Sequence, residues 1–185
     1  MEGRNQVAIG STSQMFSHNL GDIYNAEHQI VNALQQMISQ ANDQRLKNLF
    51  QEHLRQTQQQ IKRLDQAWSL LGEQPVQVKC DGMSGILTEG KKNMQEAQTD
   101  TLRDGLMAGG ADKVEHYEIV SYSSLIQDAR MMGQQQIADL LQQNLDEEQW
   151  MAQQLEQCEP DLARQAMAAE GMQPSGGAGQ SFTNP

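Results

Sequence analysis

The sequence predicts an all-α protein: a four-helix bundle with a short crossover helix between the second and third long helices. Three observations carry this. Apolar residues recur at alternating spacings of 3 and 4 through four long segments, the pattern of one helical face. Runs of β-branched residues in period-two alternation are absent. The 185 residues include only four prolines and are rich in Gln, Ala, Leu and Met, which favour helix, while aromatics make up just 4%. A chain of this length fits one domain with a sizeable core.

The predicted organisation is a flexible leader over 1–12, the helical bundle over 13–159, and a short helix with a disordered tail over 160–185. The leader has no apolar h-region, and no stretch of 18 apolar residues occurs, which predicts a soluble, cytoplasmic protein. A formal charge of −11 argues against nucleic acid as a partner, since phosphates want Lys/Arg patches, and equally against an anionic membrane surface. Cys80 and Cys158 are too far apart for a CxxC metal motif and are expected as reduced thiols.

Helix one is expected from about Gln14, after N-cap candidates at Ser11 to Ser13. Its stripe reads Leu20, Ile23, Glu27, Ile30 or Val31, Leu34, and Met37 or Ile38, with Glu27 where a Leu would be expected. It stops around Ala41-Asn42-Asp43. Helix two runs from Gln44 to Leu71 and ends at Gly72, a natural C-terminal cap. Its stripe is interrupted mid-helix by His53, Gln56, Thr57 and Gln60. The link 73–97 contains a short helical period over 81–94, read as the crossover helix. Helix three spans about Asp100 to Met132, with Gly109-Gly110 as a candidate kink, and ends at Gly133. Helix four spans Gln134 to Gln157, and Pro160 separates it from a last fragment over 161–169. Glu148 breaks the helix-four stripe, with Glu147 beside it.

The stretch KVEHYEIVSY in helix three poses the chemical question. Glu115 and Glu118 are three residues apart, hence on one face, and share it with Met107, Ala111, Val114, Tyr122, Leu125 and Ala129. Two carboxylates inside an apolar stripe are costly unless their charge is compensated. Each long helix thus carries a metal-capable residue on its core face: Glu27, His53, Glu115 with Glu118, and Glu148. Carboxylates and imidazole projecting inward from facing helices suit a pair of hard or borderline cations. His116 and Tyr117 point away from this stripe, which predicts helix–helix packing for both.

Several stretches also resemble the YciE/YciF ferritin-like stress-protein family: DIYNAEHQ (22–29), FQEHLRQTQQQIKRLDQ (50–66), KCDGMSGIL (79–87), KVEHYEIVSYSSL (113–125) and LDEEQW (145–150). The resemblance runs in order over roughly 14–157 and includes the crossover with Cys80. It implies a ferritin-like bundle, a rubrerythrin-type dinuclear iron or manganese centre, and a ferroxidase, peroxidase or catalase-like role in bacterial stress defence, with peroxide or O2 as small-molecule partner and a homodimeric state. By the same resemblance Glu27, His53, Glu115, Glu118 and Glu148 are the metal ligands. Glu118 and one of Glu27 or Glu148 would bridge the metals, with Glu115 and His53 as terminal ligands. Tyr24, Gln56, Tyr122 and Glu147 are candidates for the surrounding shell, with the two tyrosines either bonding ligand carboxylates or simply filling core. One departure is visible: the family generally reads His-Leu-x-Glu-Thr where this chain has His53-Leu54-Arg55-Gln56-Thr57. A neutral amide there predicts a second metal bound less tightly or not at all. The alternative is a non-catalytic helical interaction protein whose polar core positions are hydrogen-bonded or water-filled.

Overall fold

Five helices form the architecture of the computed structural model, which describes residues 9–172. They are α1 (Thr12–Gln40), α2 (Gln44–Leu71), α3 (Asp81–Glu96), α4 (Asp100–Met131) and α5 (Gln135–Ala169). The leader up to residue 8 and the tail from residue 173 lie outside the described residues. All described secondary structure is helical, as the spacing predicts. α1, α2, α4 and α5 are the four long helices of the bundle, and α3 is the crossover.

Local chemistry sets the helix ends. Ser11 accepts from the Gln14 amide at 3.1 Å, Asp43 from Leu46 at 2.9 Å and Thr99 from Leu102 at 3.3 Å, each satisfying a donor that the first helical turn leaves unpaired. Gly72 ends α2 in the left-handed region at φ 72°, a conformation that side chains with a Cβ rarely adopt.

Short turns make α1–α2 and α4–α5 hairpins, α2 packs on α5 and α1 on α4, so the four long helices surround one core. The connection after α2 climbs alongside α1: Asn25 accepts from the Cys80 amide at 2.9 Å, and Gln29 donates to the Cys80 carbonyl at 3.0 Å. Gly21 is required here, because a Cβ would come within 2.8 Å of the Val76 carbonyl. α3 then crosses against α1 and α4, burying Met83 fully and packing Ile86, Leu87 and Met94 on the core. Asp104, buried in the first turns of α4, accepts from the amides of Asn42 (2.9 Å) and Asp43 (2.7 Å) and so ties the α1–α2 turn to α4.

One expectation about element limits is corrected. Helix four does not stop before Pro160; α5 continues through it to Ala169. A proline inside a helix removes one backbone bond and costs about 3 kcal/mol, and tertiary anchoring offsets it here. Cys158 and Leu162 are buried on either side, Asp161 pairs with Arg45 at 3.2 Å, and Gln165 donates to Asp43 at 3.0 Å. The Gly109-Gly110 pair sits within one continuous helix, α4.

Candidate metal centre

α4 supplies two of the central groups because its inward stripe is built on steps of three and four: Met107, Ala111, Val114 with Glu115, Glu118, Tyr122, Leu125 and Ala129 are all buried. The same periodicity turns Glu27 inward on α1, His53 on α2 and Glu148 on α5. Relative exposure is 0% for Glu27, Glu115 and Glu118 and 1% for His53 and Glu148. One ligand atom from each of His53, Glu115, Glu118 and Glu148 lies within 4.8 Å of the other three. These four could hold a metal ion.

Glu27 lies at the edge of this group. Its Oε1 accepts a hydrogen bond from the Tyr122 hydroxyl, while its Oε2 is buried without a partner. Its charge acts on Glu115 and Glu118, and the charges of Glu148 and Glu147 act on it in turn. Both carboxylate oxygens of Glu115, Glu118 and Glu148 are likewise buried and unpartnered. His53 Nδ1 approaches Glu115 Oε1 to 3.0 Å without hydrogen-bond alignment, and its Nε2 also has no partner. Buried polar groups are nearly always paired, so a cluster of unpaired ones calls for a specific cause.

The electrostatics point the same way. Burial, then mutual repulsion, pushes Glu27, Glu115 and Glu118 well above the ordinary carboxylate range. Glu148 is pushed up to about 7, chiefly by burial and further by the Glu147 charge, with Glu115, Gln60 and the Arg63 charge acting in the opposite direction. Burial drives His53 down to about 4, so its imidazole is neutral and free to donate a lone pair. The donor set, carboxylate-rich with one neutral imidazole, fits iron, manganese or zinc. A cation would supply the charge that four adjacent carboxylates lack.

The surrounding residues divide. Tyr122 is fully buried and bonded to Glu27. Gln56 is 7% exposed, and its Oε1 is buried without a partner; both amide atoms of Gln60 are in the same condition. Glu147 is gripped by Arg63 at 2.7 and 2.8 Å beside the cluster. Tyr24 is turned outward instead: its hydroxyl donates to Asp65 at 2.8 Å and its ring packs edge-on against His28. Tyr117 does pack between helices, closing on Gly82 of α3 and donating to Asp22 at 2.8 Å, whereas His116 is exposed. His116 belongs to a surface group with Asp112 and Glu156, whose charges water can solvate.

Two residues next to the cluster went unnoticed in the sequence, Arg63 and Asn144. Asn144 is fully buried and donates to the Tyr122 oxygen at 3.0 Å. Its signal was its position three residues after Leu141 and four before Glu148, in the inward stripe of α5.

Comparison with known proteins identifies the fold and the family. The family model described as "Domain of unknown function (DUF892)" matches residues 11–168. Protein YciF of Escherichia coli is 34% identical over 135 residues, covering 72% of this chain and 81% of that protein. The crystal structure of the E. coli stress protein YciF superposes with a TM-score of 0.81 at 30% identity, covering 84% of this chain and 99% of that one. YcfI from Rhodopseudomonas palustris gives a TM-score of 0.79 at 36% identity, covering 84% and 98%. A Xanthomonas campestris protein at 23% identity, covering 88% and 100% with a TM-score of 0.71, shares the fold. This chain belongs to the DUF892 family, that of the YciE/YciF proteins.

Proposed function

We propose that this protein is a ferritin-like iron or manganese protein with a dinuclear centre, reacting with peroxide or O2 in bacterial stress defence. One observation carries the reading: five ionisable side chains from four helices converge in the core, with nearly all their polar atoms unpaired. Four carboxylates balance two divalent cations in charge, whereas one divalent cation would leave two carboxyls to be neutralised by protons.

In this reading His53 and Glu115 hold one side of the centre. Glu118, which feels the charges of Glu148, Glu27 and Glu115 together, would hold the centre from α4, with Glu27 and Glu148 reaching it from α1 and α5. Bound iron or manganese would supply the electrons for reducing or disproportionating an oxidant. The chain's own contribution is to hold the carboxylates in place, exclude bulk water from them, and keep the Tyr122 proton on Glu27 Oε1. We also propose a homodimer, the state the family resemblance suggests, which light scattering would report as about twice the 20.7 kDa chain mass.

The test is thermal unfolding of chelator-treated protein with and without Fe(II), Mn(II) and Zn(II). A ligand that binds only the folded state raises stability, by about 2.7 kcal/mol at a hundredfold excess over Kd. A clear rise with Fe(II) or Mn(II) supports the reading. An unchanged Tm with all three metals favours the alternative, a metal-free interaction protein with a water-filled polar core. The unpaired Gln56 Oε1 and Gln60 amide are the observation that favours that alternative.

A further inference from the structure

The hydrogen-bonded chain that ends on Glu27 can run in only one direction. Arg63 has donors and no acceptor. Its Nη1 and Nη2 grip Glu147 at 2.7 and 2.8 Å, and Nη1 also donates to Asn144 Oδ1 at 3.0 Å. The Asn144 amide therefore presents its oxygen to Arg63 and its nitrogen to the other side. There Nδ2 approaches the backbone carbonyl of Gln60 at 3.5 Å, which only accepts, and the Tyr122 hydroxyl oxygen at 3.0 Å. Neighbours on both sides thus agree on the orientation of an amide that, taken alone, could be flipped.

The consequence passes to Tyr122. Its oxygen accepts from Asn144, so its single proton is directed at Glu27 Oε1. Glu27 is the one carboxylate of the cluster with an oxygen already engaged; Glu115, Glu118 and Glu148 have both free. Arg63, with 12% of its side chain exposed, and Glu147, with 23%, anchor the chain near the surface, while Asn144 and Tyr122 are fully buried.

We propose that Arg63 and Asn144 are positioning residues that, through Tyr122, hold a hydrogen bond on Glu27 Oε1 and leave Oε2 as the metal-binding atom of Glu27. This rests on the metal reading above and adds how one of its carboxylates is presented. With Oε1 held, Glu27 presents Oε2 in a fixed position; with Oε1 released, the carboxylate can turn and no longer presents it there. A link of this kind, outside the ligands themselves, typically alters metal affinity 10–100-fold.

Full-length protein carrying Asn144→Asp, Tyr122→Phe or both tests it. Asn144→Asp still accepts from Arg63 but replaces the amide donor with an acceptor, which draws the Tyr122 proton away from Glu27. Tyr122→Phe removes the proton altogether. In metal-free protein with 13C-labelled glutamate carboxyls, the Glu27 signal should move the same way in both single variants, and the double variant should add nothing. With Co(II) as probe, both should show the same altered d–d absorption and about tenfold weaker binding than the parent. A purely structural role would lower Tm in the variants yet leave the Co(II) bands of the parent unchanged, and that result overturns the proposal. Additive effects in the double variant overturn it too. If the unaltered protein takes up no Co(II), the metal reading itself fails and this proposal falls with it. Should Asn144→Asp not fold, Arg63→Gln, which unanchors the amide, replaces it and must reproduce the Tyr122→Phe spectrum.

Discussion

Replacing Glu118 by methionine should make the metal-free protein more stable, the reverse of what a core substitution ordinarily does. Glu118 is fully buried, neither of its oxygens has a hydrogen-bond partner, and burial with three neighbouring carboxylates pushes its pKa well up. Leaving a buried polar group unpaired costs about 1–3 kcal/mol. Methionine is unbranched, similar in length and helix propensity, and adapts to irregular space. Glu118→Met therefore removes that penalty without opening a large cavity. For a chain of this size 1 kcal/mol moves Tm by roughly 2–4 °C, so the chelated variant should melt about 2–12 °C above the parent. Differential scanning calorimetry in chelator measures it. The same variant should lose the metal-induced rise in Tm. A chelated Glu118→Met that melts below the parent would mean that Glu118 is satisfied in the metal-free core.

Other outcomes follow from the same groups. The buried carboxyls keep protons that the unfolded chain releases above about 4.5, so metal-free stability should fall as pH rises from about 4.5 through about 7, where Glu148 titrates. His53, held down at about 4, acts oppositely, offsetting part of this loss up to its ordinary value of 6.5; the net fall in Tm should be plain between pH 6.5 and 8 and smaller in metal-loaded protein. Gln56→Glu should raise the metal held per chain by up to one equivalent in elemental analysis, and lower Tm in chelator by adding another buried carboxylate. Asp104→Ala leaves the Asn42 and Asp43 amides without their acceptor and should cost about 2 kcal/mol in urea unfolding, with metal uptake unchanged.

Most of the helical layout was legible because burial and helical periodicity leave the same imprint on a sequence. Residues such as Leu20, Ile23, Ile30 and Leu34 repeat at the spacing of one face, and all are buried on α1. Polar residues interrupting that imprint were the clearest sign of a site, since Glu27, His53, Glu115, Glu118 and Glu148 stand where the pattern calls for apolar side chains. α4 is where the periodicity is weakest. With Asp104, Glu115 and Glu118 in its inward stripe and Val120 exposed, its amphipathic contrast nearly vanishes, and only the interruptions give meaning to the face.

What escaped the sequence was tertiary. Pro160 reads as a stop because the penalty is local, whereas the contacts that carry α5 past it, Arg45 with Asp161 and Asp43 with Gln165, join positions more than a hundred residues apart. Tyr24 lies one turn from Glu27 on nearly the same face, yet the partner it finds is Asp65 of α2, which no spacing within α1 reveals. Arg63 escaped because long cationic side chains are usually solvated. Only the fold shows that it reaches Glu147 and Asn144 on α5.

The most direct test of the central claim is metal stoichiometry. Protein stripped with chelator is loaded anaerobically with Fe(II) or Mn(II), desalted, and analysed for metal beside a Glu118→Ala control. Between one and two equivalents per chain are expected in the parent, with the shortfall from two traceable to Gln56, and a large loss in the control. Less than half an equivalent in the parent, or equal uptake by both proteins, would contradict that claim.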